Sequence, residues 1–152
     1  MSLFVGRITS GSTNSGKQNY LVPGIHAPLF KESVETMLSQ LFQAIDNQDA
    51  TAFAGFLTED CTFSFGNQPA VCGKEAVRDF VAGFFASIEA VSHSLSESWE
   101  VEDGSICQGT VTYTRKDGST LTIPFANILK FKECLVCDYR IFADTSELYR
   151  PR

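Results

Sequence analysis

Asn127 is the polar residue whose setting most invites chemistry. From Leu121 to Phe131 the odd-numbered residues are Leu121, Ile123, Phe125, Asn127, Leu129 and Phe131, so one amide interrupts an apolar stripe. Alternation of this kind puts the whole set on one face of a strand. If that face turns inward, the amide needs partners, because a buried unpaired amide costs about 1–3 kcal/mol. Either it ties down a neighbouring group, or it offers a hydrogen bond to a ligand in a dry cavity. The last strand-like segment has the same character. Leu135, Cys137, Tyr139, Ile141 and Ala143 share one parity, opposite Val136, Asp138, Arg140, Phe142 and Asp144, which leaves the Tyr139 hydroxyl as the polar group on an apolar side. Thr110, Thr112 and Thr114 alternate with Val111 and Tyr113. Periodicity alone does not say which of those rows faces in, and Thr112 enters the candidate lining on the first alternative.

Groups that move protons are sparse on these stripes. The two histidines are His26 and His93, and neither lies in a recognisable nucleophile turn. His93 reads as a polar residue at the start of a strand. No carboxylate interrupts the stripes as a desolvated general base would. Asp138 or Asp144 could act as the acid if the last strand twists to aim one of them inward. Gly11-Ser12-Thr13-Asn14-Ser15-Gly16-Lys17 matches the spacing of a phosphate loop, but Gln18 stands where a magnesium-binding hydroxyl belongs, and Pro23 and Gly24 interrupt any following helix. The match is read as chance. Cys134 and Cys137 form a C-x-x-C with no second pair to complete a zinc site, and on a strand they would point to opposite faces. Neither a metal nor a cofactor is expected, and the five cysteines are read as packed free thiols.

The elements that must position these groups follow from periodicity. Residues 9–24 are rich in Gly, Ser, Thr and Asn, and residues 1–28 are expected to form a flexible arm before one domain over 29–150. Val34, Met37, Leu38, Leu41, Phe42 and Ile45 recur at helical spacing. Asp49 suits an N-cap for a short second helix burying Phe53, Phe56 and Leu57. Cys61, Phe63 and Phe65 alternate as in a half-buried strand, and Val77, Phe80, Val81, Phe84 and Ile88 mark a third helix. Beyond residue 90 the chain reads as four strands divided at Asp103-Gly104, at Asp117-Gly118 and near Glu133. Helices followed by a strand meander predict an α+β fold: three helices on one face of a curved, mostly antiparallel sheet. A chain of 152 residues has room for one such core, and its thirteen Phe residues supply either a dense aromatic interior or the walls of an apolar cavity.

Charge narrows the partners. The net charge is −6 and no two basic residues are adjacent, which argues against nucleic acid. No run of eighteen apolar residues is present, and the first residues lack the order of a signal peptide, so a cytoplasmic protein without a membrane role is expected.

Several segments resemble the SnoaL-like branch of the nuclear transport factor 2-like superfamily. They are Ala44-Ile45-Asp46-Asn47-Gln48-Asp49 leading to Phe56-Leu57-Thr58-Glu59-Asp60-Cys61-Thr62-Phe63, then Gly73-Lys74-Glu75-Ala76-Val77, then Cys137 to Asp144. The resemblance spans about residues 32 to 149. It implies a cone-shaped roll enclosing a hydrophobic cavity, often in homodimers, but no single activity. Carried over by position, the isomerases' base falls near Phe65 and their tyrosine near Leu41, while their second oxyanion donor falls at Asn127. The epoxide hydrolases' Asp-Arg-Asp set falls near Thr110, Thr112 and Ile141, and the cyclases' base also at Ile141. The chain departs from each pattern at the residue that moves the proton. The expected function is therefore binding of a small hydrophobic molecule, polyketide-, terpenoid- or steroid-like. Asn127 and Tyr139 would be its polar handles, and Phe63, Phe65, Phe125 and Ile141 its walls. An isomerase, cyclase or dehydratase with an unfamiliar acid, and a purely structural homodimer module, are the alternatives.

Overall fold

Helix α1 (Ala27–Asp46) opens the computed structural model, which describes residues 27–150, and residues 27–32 by their backbone alone. The expected arm, with its phosphate-loop spacing and His26, lies outside the described residues except at Ala27 and Pro28, which already belong to α1. Val34, Leu38, Leu41 and Phe42 are buried along one stripe of the helix, as their spacing demands. Burying a side chain such as Leu41 fully contributes roughly 1.5–3 kcal/mol. The helix stops where Gln48 takes a positive φ of 54°, and Asp49 then caps α2 (Ala50–Ala54) by accepting from the Ala52 amide at 2.8 Å. α2 is shorter than expected. It ends at Gly55, and Leu57 already begins a strand.

Strand β1 (Leu57–Phe65) is followed by a two-residue strand β2 (Val71–Cys72), which no periodicity announces, and by α3 (Lys74–Ser87). The meander is β3 (Ala90–Val101), β4 (Gly104–Thr114), β5 (Thr120–Lys132) and β6 (Leu135–Phe142). The six strands form one sheet in the order β2-β1-β6-β5-β4-β3, antiparallel throughout except where β1 runs parallel to β6. The helices cover one face, which makes the architecture α+β as expected. No helix among the described residues is long and apolar enough to cross a membrane.

Two bulges reset which side chains face the helices. Between β5 and β6, Lys130 pairs with Asp138 and Phe131 with Val136, so Cys137 is the extra residue. One inserted residue inverts the alternation beyond it. Val136 is consequently fully buried, and Leu135 and Cys137, expected inward, are only partly covered. A second bulge lies between Leu95 and Glu97 on β3, opposite Gly109. There a side chain on Gly109 would meet the Ser94 carbonyl oxygen at 2.0 Å, so only glycine lets β4 pass. On β4 the inward row is Val111 and Tyr113, not the threonines. Thr112 points to the outer face, where its hydroxyl lies 2.8 Å from that of Thr122.

The cysteines divide by position. Cys61 and Cys107 are buried as small apolar residues, while Cys72 and Cys134 are exposed, the latter in the β5–β6 turn at φ 65°. All five thiols are free, and no cluster among the described residues could hold a metal ion. The segment after β6 is strapped down by Arg115, whose guanidinium donates to the carbonyls of Glu147, Leu148 and Thr120, and Leu148 is buried.

Candidate functional site

The inward stripes of five strands and the apolar faces of the three helices meet around a narrow cavity. Its sheet side is built by Phe63 and Phe65 of β1, Tyr139 and Ile141 of β6, Phe125 and Asn127 of β5, Val111 and Tyr113 of β4, and Val91 and His93 of β3. Ile45 closes it from α1, Phe53 from α2, and Phe80, Val81, Phe84 and Phe85 from α3. Aromatic rings do most of the filling: Phe63 is in contact range of Phe53, Phe65, Phe80 and Tyr139, with ring centres 5.5–6.5 Å apart. The space left between the side chains is about 40 Å³, within about 540 Å³ of free volume that includes the opening to solvent. By the usual allowance of roughly 10–15 Å³ per water in such a measure, that space has room for about three waters.

Polar groups are few, and each has a definite state. Register pairs Asn127 with Ile141 and Leu129 with Tyr139, so Asn127 and Tyr139 are diagonal neighbours on the same face. The Asn127 Nδ2 donates to the Tyr139 hydroxyl at 3.2 Å, and the Asn127 Oδ1 has no partner although the residue is 1% exposed. Exchanging the amide's two ends would seat Oδ1 on the phenol and orphan Nδ2 instead, so either orientation leaves a buried polar atom of the amide unmatched. Burial holds the Tyr139 phenol well above its ordinary value, and raises Tyr113 likewise. Burial pushes the Cys107 thiol up to about 12. All three are therefore neutral at physiological pH, and the two phenols line the cavity in that form.

The structure brings together Asn127, Tyr139, Ile141, Phe125, Phe63 and Phe65, and leaves out three other sequence candidates. Thr112 is on the opposite face of the sheet. Asp138 also points outward, accepting from Arg140 at 3.0 and 3.1 Å in a surface groove with Thr62 and Ser64. Asp144 is fully exposed and accepts from the Ser146 amide, which holds its carboxyl below the ordinary value. Strand parity places Thr112 on the outer side of β4 and Asp138 on the outer side of β6, while Asp144 lies past the end of β6.

One pair of residues was not anticipated. His93 lies on the inward row of β3 with Val91, and its Nδ1 is 2.6 Å from Oδ1 of Asp46, the last residue of α1. The other carboxylate oxygen accepts the His93 backbone amide at 3.1 Å. The ring sits between Phe42 and Phe125, with centres 5.0 and 5.3 Å away. Desolvation lowers the imidazole's pKa, and the Asp46 hydrogen bond and charge offset this only in part. The shared parity of Val91 and His93 was the available signal. Nothing local in the sequence tells that α1 ends beside this strand.

The family comparison decides the relationship. Residues 38–139 match the model of the SnoaL-like domain. The chain belongs to the SnoaL-like family. Solved structures similar to this SnoaL-like chain include a putative SnoaL-like polyketide cyclase from Jannaschia sp. (19% identity, 84% of this chain and 99% of that one, TM-score 0.69). Another is TerC, co-crystallised with polyporic acid (16% identity, 77% and 95%, TM-score 0.66). A third is an epoxide hydrolase from M. tuberculosis resembling limonene epoxide hydrolase (8% identity, 78% and 87%, TM-score 0.66). At these identities the likeness is one of fold. The sequence has no match among curated proteins.

Proposed function

We propose that this SnoaL-like protein binds a small hydrophobic molecule in the cavity between α3 and the sheet, with Asn127 and Tyr139 as the polar end of the site. The observation that carries this reading is the unmatched Asn127 Oδ1 on an otherwise apolar wall. A buried amide with an orphaned acceptor lowers stability by about 1–3 kcal/mol, and a ligand hydroxyl that donates to it recovers that cost on binding. The co-crystal of the similar protein TerC with polyporic acid supports a small organic ligand in a fold of this kind.

Size sets a condition on the ligand. A void of about 150 Å³ is what admits one benzene ring elsewhere, so about 40 Å³ is too small for even a single ring without movement of the walls. Phe65, Phe80 and Phe84 are the partly exposed rings among the lining, so they are the walls that must turn for a ligand to enter. Ligands of one or two rings are therefore favoured over steroid-sized ones. Native mass spectrometry and calorimetry with graded panels of phenols, naphthols, terpenoids and steroids test the reading. The expected result is hydroxylated one- and two-ring ligands binding best, with affinity falling about tenfold or more in Asn127→Leu. Affinity that is unchanged by that substitution removes the amide from the site.

A further inference from the structure

We propose that His93 is a general base for ligands held in this cavity, with Asp46 as its positioning residue, so that the protein catalyses proton transfer from carbon. The proposal rests on the cavity being a ligand site, and adds a reaction to it. Three observations carry it. His93 lines the cavity and a surface groove behind it, about 350 Å³, that also contains Asp46, Phe42 and Gln43. Asp46 grips the residue twice, through Nδ1 and through the backbone amide, which fixes the ring against rotation and assigns the Nδ1 proton to the bond with the carboxylate. The other ring nitrogen, Nε2, then carries the lone pair and has no partner among the described residues.

The surroundings keep that lone pair available. Phe42 and Phe125 flank the ring, so water reaches it poorly and its neutral form is favoured. The titratable and charged groups around it are Asp46 and Glu35 on α1, which share its outer groove, and the Tyr113 and Tyr139 phenols across the cavity, which stay protonated. In the step itself, Nε2 takes a proton from a carbon next to a carbonyl, and the C–H electron pair becomes the new double bond of an enolate. The resulting imidazolium is stabilised by the Asp46 carboxylate and returns the proton to a different carbon. The net reaction is an isomerisation that needs no co-reactant, and the Asn127–Tyr139 pair anchors the far end of the ligand.

A flat two-ring carbon acid, 5-nitrobenzisoxazole, tests this without knowledge of the natural substrate. A base removes its ring proton, the C–H pair forms a nitrile as the N–O bond breaks, and a coloured phenolate is released. Binding is measured separately with the non-ionisable analogue indole by calorimetry. The wild-type chain is expected to bind indole and to turn the probe over with a rate that falls as pH drops and His93 is protonated. His93→Gln should lose about 10²-fold or more, the usual share of a general base, and Asp46→Asn, which keeps the hydrogen bond and removes the charge, should shift the midpoint of the pH profile downward. A midpoint that does not move overturns the coupling of Asp46 to the base. If His93→Gln folds poorly, the wild-type profile still decides, because the chain has two histidines and the ring titration of His93 by NMR, with His26→Gln as the blank, must coincide with the kinetic midpoint. Indole binding with turnover that is indifferent to His93, or a kinetic midpoint that differs from the ring's, overturns the base assignment alone. No indole binding and no turnover overturns the ligand site, and this proposal with it.

Discussion

Replacing Asn127 and Tyr139 together should leave the protein as stable as before or more stable, although both residues are completely buried. In the wild type the pair makes a bond of 3.2 Å, and Oδ1 of the amide is orphaned. Asn127→Leu removes the orphan, a gain of about 1–3 kcal/mol, but strands the phenol at a similar cost, so the single change is expected near zero. Tyr139→Phe removes the bond and leaves both ends of the amide unmatched, a loss of about 1–3 kcal/mol. The double variant Asn127→Leu/Tyr139→Phe has no polar group left at the site, and the extra volume of leucine can extend into the adjoining cavity of about 40 Å³. Solvent entering the cavity offsets part of the wild-type penalty, so the expected change for the double variant is about 0 to 3 kcal/mol of added stability. For a domain of this size that is a rise in Tm of up to roughly 6–12 °C. Urea unfolding followed through Trp99, the single tryptophan, and thermal unfolding by circular dichroism measure the cycle. If the amide is instead a structural tie, the double variant loses more than about 1 kcal/mol. That result refutes the view that the pair is maintained for binding at the expense of stability.

Stability should fall on mild acidification because of His93. Its pKa is lowered in the folded chain, so the folded state resists a proton that the unfolded state accepts; stability is retained above the unfolded value of about 6.5 and declines as pH falls from there through the folded value. One such group contributes a slope of at most about 1.4 kcal/mol per pH unit, and urea midpoints between pH 7 and 5.5 should show it in the wild type but not in His93→Gln. Gly109→Ala should destabilise by about 1–3 kcal/mol or more, since the new methyl would lie 2.0 Å from the Ser94 carbonyl oxygen, and a variant with an unchanged urea midpoint would mean that the β3 bulge yields freely.

Much of this architecture could be read along the chain because its information is local. Leu38, Leu41 and Phe42 declare a helix face by spacing alone, and Asp103, Gly118 and Glu133 all take the positive φ values that their turns require. The face of β5 was likewise legible, because no bulge interrupts its alternation between Leu121 and Lys130, so Asn127 could be placed inside from its neighbours. Elsewhere the same rule misleads. Val136 and Cys137 are assigned to the wrong faces by parity, since the strand gains one residue against β5 and nothing in Leu135-Val136-Cys137 marks which residue is extra. The threonine row of β4 was ambiguous for a related reason: a β-branched polar residue suits either side of a sheet, and Val111 and Tyr113 won the inner side through the burial they add.

The His93–Asp46 pair shows why a site can escape a reading that finds the fold. Each partner is unremarkable in its own segment: an acid at the end of a helix, and a histidine early in a strand. Their meeting depends on α1 crossing the sheet so that its last residue lands on β3, forty-seven positions away, and on the inner parity of His93 surviving because the β3 bulge lies beyond it, after Leu95. Both conditions belong to the packing of α1 against the sheet. Of the three candidates chosen for being acidic or hydroxylated, Asp138 and Thr112 lie on the sheet face away from the helices and Asp144 lies past the end of β6. Facing and proximity, set by strand register, therefore decide which polar residues of a SnoaL-like cone can reach a ligand, and residue type decides only what they do once there.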